Sequence, residues 1–351
     1  MEKASGLAIM VTIGCIGTVT SAVTPWRAAF DGPVTDGVIQ PALEAAFDEA
    51  VVIRDGAIHA WSAFLFGVFG QMSDGALAGE GEWLFTTEEF ETHPDFDAQF
   101  NAQIARILDV ETALRAQEVA LVVALIPDKA RIMSAYLPHP DRGPAIGGRY
   151  DAALGALQGG GVVAPDLRPA LSALLEEGDT PFLRTDTHWT PEGARAAAYH
   201  LAFLVDGPIS APSEFVTLAT GTEPHTGDLM RFANTGPFAP LVGPHPEDIT
   251  TYSTVSGAVA GDFQSLFGEQ QIPVVLVGSS YSANPAWNFE GFLKTSFSAD
   301  ILNVAQEGRG PFAPMERWLQ DADLTTSAPD LVIWEIPERY LTLSTLKRLE
   351  E

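Results

Sequence analysis

The segment Ile272-Pro273-Val274-Val275-Leu276-Val277-Gly278-Ser279-Ser280-Tyr281-Ser282 joins a run of apolar residues to a glycine and adjacent serines. An unbroken apolar run leaves no strand face for water, so it reads as a strand buried on both sides. Such strands lie inside parallel sheets with helices on both faces, and ligands bind beyond their carboxyl ends. The serines therefore stand at the edge where chemistry is expected. Gly278 permits a tight turn, and a serine on that turn projects its hydroxyl out of the sheet.

Similar runs recur outward from this point. Val119–Pro127 (VALVVALIP) reads as a central strand, and Ile301–Val304 and Leu331–Ile336 (LVIWEI) as two more. Between them, Phe100, Ile104, Ile107, Leu108 and Leu114 recur at helical spacing within 96–118. Helices are also expected over 149–157, 167–176 and 314–320, and from Pro191 to about Val205 with Thr190 as its cap. Residues 34–69 look helical, starting near Gln40 before Pro41, and Gly79–Phe85 reads as a turn leading into a strand. Residues 208–243, rich in Pro, Gly and Thr, are expected to make a long irregular excursion over the surface. Buried strands alternating with helices predict the α/β class: a three-layer α/β/α sandwich with a mostly parallel sheet. No linker interrupts the chain after residue 30, so a single domain over 30–351 is expected.

A hydrophobic fraction of 46% supports a sizeable core. The formal net charge of −27 repels polyanions, which argues against nucleic acid as a partner. Cys15, the single cysteine, falls within the N-terminal apolar stretch, so the folded part carries no disulfide or thiolate metal site. After Lys3, the uncharged run Ala4–Pro25 makes residues 1–25 a membrane anchor or a signal peptide cleaved after Ala22. A third reading makes Cys15, after Gly14, a lipidation site, which the preceding Thr12 and short apolar run fit poorly. All three export the protein, and the alternative to them is a buried N-terminal helix.

Thr185-Asp186-Thr187-His188-Trp189-Thr190-Pro191-Glu192-Gly193 is the second segment with chemistry. Asp186 and His188, two apart in an extended stretch, can face the same way. A nucleophilic serine needs a base for its proton, and the base needs a carboxylate to fix its tautomer and stabilise the imidazolium. Metal ligation by the same pair would require a third ligand, and His200 has no evident reason to converge. The expectation is no metal and no cofactor.

Together, TDTHWTPEG and VGSSYS resemble the SGNH-hydrolase-like catalytic domain of the AlgJ/AlgX family of alginate O-acetyltransferases. GEGEWLF near Gly81, IPDKARI around Lys129, GDLM at Gly227, NFEGFL from Asn288, ILNVAQEGRGPF near Gly310 and VIWEIPERYL extend the likeness over roughly 50–345. The order also fits, because Asp-x-His precedes the serine as in the circularly permuted relatives. The resemblance implies a triad of Ser280, His188 and Asp186 that transfers acetyl groups onto hydroxyls of an exported exopolysaccharide; the alternatives are a secreted carbohydrate acetylesterase using the same triad on water, and a non-catalytic scaffold of an exopolysaccharide secretion complex. It further implies a periplasmic protein tethered to the inner membrane, a membrane-bound acyltransferase as acetyl donor, and other polysaccharide secretion proteins as partners. Ser279, beside Ser280, competes for the nucleophile's role, and Ser280 is preferred because it completes the family's G-x-S.

Substrate contacts are expected from Lys129 at a strand's carboxyl end, Arg184 beside the Asp-x-His, Tyr281, Asn288 and Arg309 between two glycines. Trp189 and Trp287 could stack on sugar rings or fill the core. Glu335 and Arg339 are expected to form a structural ion pair.

Overall fold

A computed structural model describes residues 54–138, 147–205, 209–257, 272–324 and 326–343. The N-terminal anchor or signal segment, Cys15 and the expected helix start at Gln40 lie outside the described residues. Among the described residues, no helix is long and apolar enough to cross a membrane. A single domain was expected from residue 30; the described chain instead divides into two compact units. One holds 54–71 and 233–243, and the other 72–232 and 244–343.

In the smaller unit, helix α1 (Arg54–Phe69) packs on the short turns that follow Gly236. The larger unit begins with the antiparallel pair β1 (Ala76–Ala78) and β2 (Leu84–Thr86), followed by α2 (Phe96–Arg115) and β3 (Ala120–Ile126). Helices α3 (Arg149–Gly159), α4 (Arg168–Glu177) and α5 (Pro191–Leu204) come next, then the ribbon β4 (Phe215–His225) and β5 (Glu247–Ser256). The chain continues through β6 (Val274–Val277), the one-turn α6 (Ser280–Ala283), α7 (Phe289–Phe297), β7 (Ile301–Asn303), α8 (Phe312–Asp321) and β8 (Leu331–Pro337).

β3, β8, β6 and β7 form a fully parallel sheet in that order. Its two faces follow the strand period of two. Val122, Ala124 and Ile126, Val274 and Leu276, and Leu331 and Ile333 share a core with α4, α5 and α7. Leu121, Val123 and Leu125, Val275 and Val277, and Val332, Trp334 and Ile336 share the other with α2, α3 and α8. Each buried large side chain contributes about 1.5–3 kcal/mol through removal of apolar surface from water. The result is the expected three-layer sandwich.

One expectation fails in detail. The stretch 208–243 is no simple excursion, because Phe215–His225 pairs with Glu247–Ser256 as a long antiparallel ribbon. Most of its side chains are exposed on both faces, so no alternation of apolar and polar residues marks it in sequence.

Candidate active site

Asp186, Thr187 and His188 occupy a short link before α5. It is pinned by an antiparallel bridge between Phe182 and Trp189 and by the bond from Leu183 N–H to the His188 carbonyl. The Thr190 hydroxyl accepts from Gly193 N–H at 3.0 Å, capping α5 with Pro191 in its first turn. Trp189 is fully buried, so its ring anchors the link while the flanking His188 turns the other way. The backbone N–H of His188 donates to Asp186 Oδ1 at 3.0 Å, closing an Asx-type turn that fixes both side chains.

The three residues meet at the carboxyl end of β6. His188 Nδ1 lies 2.5 Å from Asp186 Oδ1, and His188 Nε2 lies 2.7 Å from the Ser280 hydroxyl. Because the carboxylate only accepts, Nδ1 carries the proton and Nε2 is left to accept from Ser280 O–H. The competing serine is placed differently. Ser279 is buried, and its hydroxyl donates to Glu335 at 3.0 Å.

Asp186 is held by more than His188. Its Oδ2 accepts from His225 Nε2 at 2.9 Å and from Asp228 N–H at 3.1 Å. Burial pushes its carboxyl up, but the bonds from His188 and His225 outweigh this and hold it well below the usual carboxylate range. The same contact, aided by the Asp186 charge and opposed by burial, raises the His225 imidazole above its ordinary value. Asp228 in turn accepts from Thr187 N–H at 2.9 Å and from the Thr187 hydroxyl at 2.8 Å. Gly227 makes this approach possible, since a β-carbon there would stand 2.1 Å from the Thr185 carbonyl. Potential ligand atoms of Asp186, His188 and Asp228 fall within 4.8 Å of one another, but all are committed to these hydrogen bonds. His200 turns instead to the Asp166 carbonyl at 2.9 Å.

The Trp287 ring stacks on His188 at 5.4 Å, and Tyr281 packs 4.8 Å from it. Both are buried, as is Trp189, so none of the three offers a face to a sugar. Tyr281 was expected to contact substrate, but its hydroxyl donates to the Thr187 carbonyl and braces the link.

The remaining expected substrate contacts also resolve differently. Lys129 is completely buried, and its ammonium donates to the carbonyls of Leu84 at 2.6 Å and of Arg184 and Asp186 at 2.9 Å each. Burial pushes it down to about 8, with neighbouring carboxylates opposing. Its three donors are spent tying β2 to the Asp186 backbone, so it cannot meet a substrate. Arg184 pairs with Glu82 at 2.9 Å and Glu247 at 3.8 Å, which clamps the chain ahead of Asp186. Asn288 caps α7 in a left-handed conformation and lines a separate cavity of about 210 Å³. Arg309 is exposed, and only its flanking glycines line the cleft above Ser280.

That cleft encloses about 960 Å³ at the carboxyl edge of the sheet, with Ser280 and His188 on its wall. Arg339 and Tyr340 also border it, as do Arg231, Phe232 and Glu307. Arg339 does not pair with Glu335: its Nε donates to Glu88 at 3.0 Å and its backbone N–H to Asp128 at 3.1 Å. A buried network of Asp128, Arg131, Arg149 and Glu338 secures the turn on which it sits. Among these groups, the sequence offered one signal for Asp228: the GDLM segment.

Comparison with known proteins places this site in a family context. The model for the SGNH hydrolase-like domain of acetyltransferase AlgX matches residues 76–338. "Probable alginate O-acetylase AlgJ" of Pseudomonas aeruginosa is 35% identical over 95% of this chain and 87% of its own length. "Alginate biosynthesis protein AlgX" of Pseudomonas putida is 30% identical over 75% of this chain and 56% of its own. The solved O-acetyltransferase domain of Pseudomonas putida AlgJ superposes with a TM-score of 0.68 at 36% identity, covering 77% of this chain and 93% of that one.

Proposed function

Because this chain belongs to the AlgX family of SGNH hydrolase-like acetyltransferases, we propose that it is an O-acetyltransferase working through Ser280, His188 and Asp186 on an exported, alginate-like exopolysaccharide. The observation that carries the reading is the unbroken relay from Ser280 O–H to His188 Nε2, at 2.7 Å, and from His188 Nδ1–H to Asp186, at 2.5 Å.

The steps follow from this geometry. His188 Nε2 takes the Ser280 proton as Oγ attacks the carbonyl carbon of an acetyl donor. The leaving group departs with that proton, and the acetyl group remains as an ester on Ser280. A sugar hydroxyl entering the cleft then gives its proton to Nε2 and attacks the ester carbonyl. Acetylated sugar leaves, and the proton returns to Ser280 Oγ. Asp186 stays ionised throughout, held so by its imidazole donors, and stabilises the transient imidazolium. Transfer requires the sugar hydroxyl to occupy water's place, which an open cleft of about 960 Å³ can achieve by binding several sugar units.

In this reading the donor is a membrane-bound acyltransferase, and other secretion proteins deliver the polymer. The uncharged run 4–25, outside the described residues, supports a periplasmic location with an inner-membrane tether. The test is mass spectrometry of the chain after exposure to an activated acetyl ester, followed by addition of oligosaccharide. An acetyl group on Ser280 that moves to the sugar supports the proposal. Discharge only to free acetate points to an esterase, and labelling of Ser279 or of neither serine refutes the assignment.

A further inference from the structure

Glu335 is fully buried on β8, at a position the strand alternation gives to the apolar face of Leu331 and Ile333. A carboxylate in such a slot is costly unless donors surround it. Donors do surround it, and all come from the nucleophile's turn. Ser279 N–H donates to Oε2 at 2.8 Å, the Ser279 hydroxyl lies 3.0 Å from both oxygens, and the Ser282 hydroxyl donates at 3.1 Å. The Ser279 hydroxyl accepts from Tyr281 N–H at 3.3 Å, so its own proton points to Glu335. Parallel pairing of Val277 with Trp334 brings Gly278 beside Glu335, where a β-carbon would stand 2.5 Å from Oε2. The carboxylate thus grips Ser279 and Ser282, the residues that bracket Ser280.

From this arrangement we infer that Glu335 is a positioning residue for the nucleophile. It touches no reacting atom; it clamps the turn so that the Ser280 hydroxyl stays in line with His188 Nε2. An apolar side chain of similar volume would leave the Ser279 N–H and the Ser279 and Ser282 hydroxyls without this acceptor, so what the carboxylate supplies is a fixed set of bonds to the turn that carries Ser280. Burial, opposed by the bonds from Ser279 and Ser282, pushes its carboxyl up to about 7. The inference rests on the reading of Ser280 as nucleophile.

The experiment compares the full chain with Glu335→Gln, Ser279→Ala and Ser280→Ala, using p-nitrophenyl acetate. It reads the single-turnover acylation rate per folded site, the KM for the ester and the acetylated residue. A glutamine can accept from Ser279 N–H but leaves one hydroxyl without an acceptor. Glu335→Gln is expected to slow acylation about 10- to 100-fold with KM within about twofold, the scale of a small misplacement of a reacting group. Ser279→Ala is expected to slow it about 5-fold, by the same loosening. A purely structural Glu335 would lower the melting temperature and leave the rate per folded site unchanged, and that result overturns the inference. If Glu335→Gln does not fold, Ser279→Ala decides: a wild-type rate overturns it. Absence of acetyl on Ser280 in the wild-type chain overturns the nucleophile assignment itself, whereas labelling at equal rates in wild type and Glu335→Gln overturns only the role of Glu335.

Discussion

His225 Nε2 lies 2.9 Å from Asp186 Oδ2, while His188 Nδ1 uses Oδ1 of the same carboxylate. The carboxylate that holds His188 is therefore itself held by a second imidazole at the end of β4. The His225 ring also meets Trp287 edge-on at 5.5 Å, and Trp287 stacks on His188. Replacing His225 by Phe should keep the packing and leave Oδ2 with only the Asp228 N–H. We expect kcat to fall about 10-fold with little change in acceptor KM, the scale of losing a ligand's supporting hydrogen bond. The raised His225 value implies a stabilising contribution that is complete below about pH 6.5 and is lost as pH rises through its folded value. The stability gap between wild type and His225→Phe should accordingly narrow in alkaline buffer, as read by thermal melts across pH.

Lys129→Met tests whether this lysine serves structure or substrate. Removing the ammonium takes its donor from the carbonyls of Leu84 and Asp186 and leaves that of Arg184 with only the Leu84 N–H, at 2.9 Å, around a buried site. Each unsatisfied buried group costs about 1–3 kcal/mol. Urea unfolding should show a loss of several kcal/mol, and the folded fraction should lose kcat through a displaced Asp186. A selective rise in acceptor KM with full stability would return Lys129 to the substrate.

Gly227→Ala should fail for steric reasons. The added β-carbon would stand 2.1 Å from the Thr185 backbone and 2.4 Å from Asp186 N, so the GDLM segment must move away. Crowding of this kind costs about 1–3 kcal/mol. The bond from Asp228 N–H to Asp186 is the first to stretch. A lower unfolding midpoint together with reduced acylation of Ser280 is expected, and an unchanged midpoint would contradict the close approach.

Glu335 gives a pH signature opposite in sign to that of Asp186. Its folded value of about 7 exceeds the ordinary 4.5, so any stability tied to it is present below about pH 4.5 and is lost as pH rises through about 7. The wild-type chain should therefore lose stability relative to Glu335→Gln between those limits. Asp186, depressed in the fold, acts in both proteins and cancels from the difference. Differential scanning calorimetry of the pair across pH 4–8 measures this directly; a flat difference would mean Glu335 ionises in the fold as it does in water.

Asp186→Asn keeps the shape of the acceptor but removes its charge and presents an amide to Nδ1. The imidazole then loses the tautomer that leaves Nε2 free for Ser280. A fall of about 10³- to 10⁴-fold in kcat is expected at neutral pH, by analogy with other serine triads. Steady-state acetyl transfer to an oligosaccharide checks it.

The local pattern of the chain was enough to determine the layered α/β architecture. Apolar runs such as VVLV and ALVVALI must be covered on both faces, and the helical segments that alternate with them supply the two layers that cover them. The likeness of TDTHWTPEG and VGSSYS to one family also singled out Ser280, His188 and Asp186 before any coordinates. What the sequence could not decide were contacts between segments distant along the chain. Ser279 and Ser280 differ by one position, and only the register of β6 against β8 turns one hydroxyl to Glu335 and the other to His188. Lys129 reads as a loop lysine until the fold wraps three carbonyls around it. Glu335 reads as a partner for Arg339 until strand alternation points it beneath the turn of Ser279 and Ser282 and Arg339 toward Glu88. His225 lies in a ribbon with no apolar period, and nothing in the chain announces that its ring closes on Asp186. Periodicity records how much of each segment is buried; which polar atoms meet inside is set by the packing of whole elements.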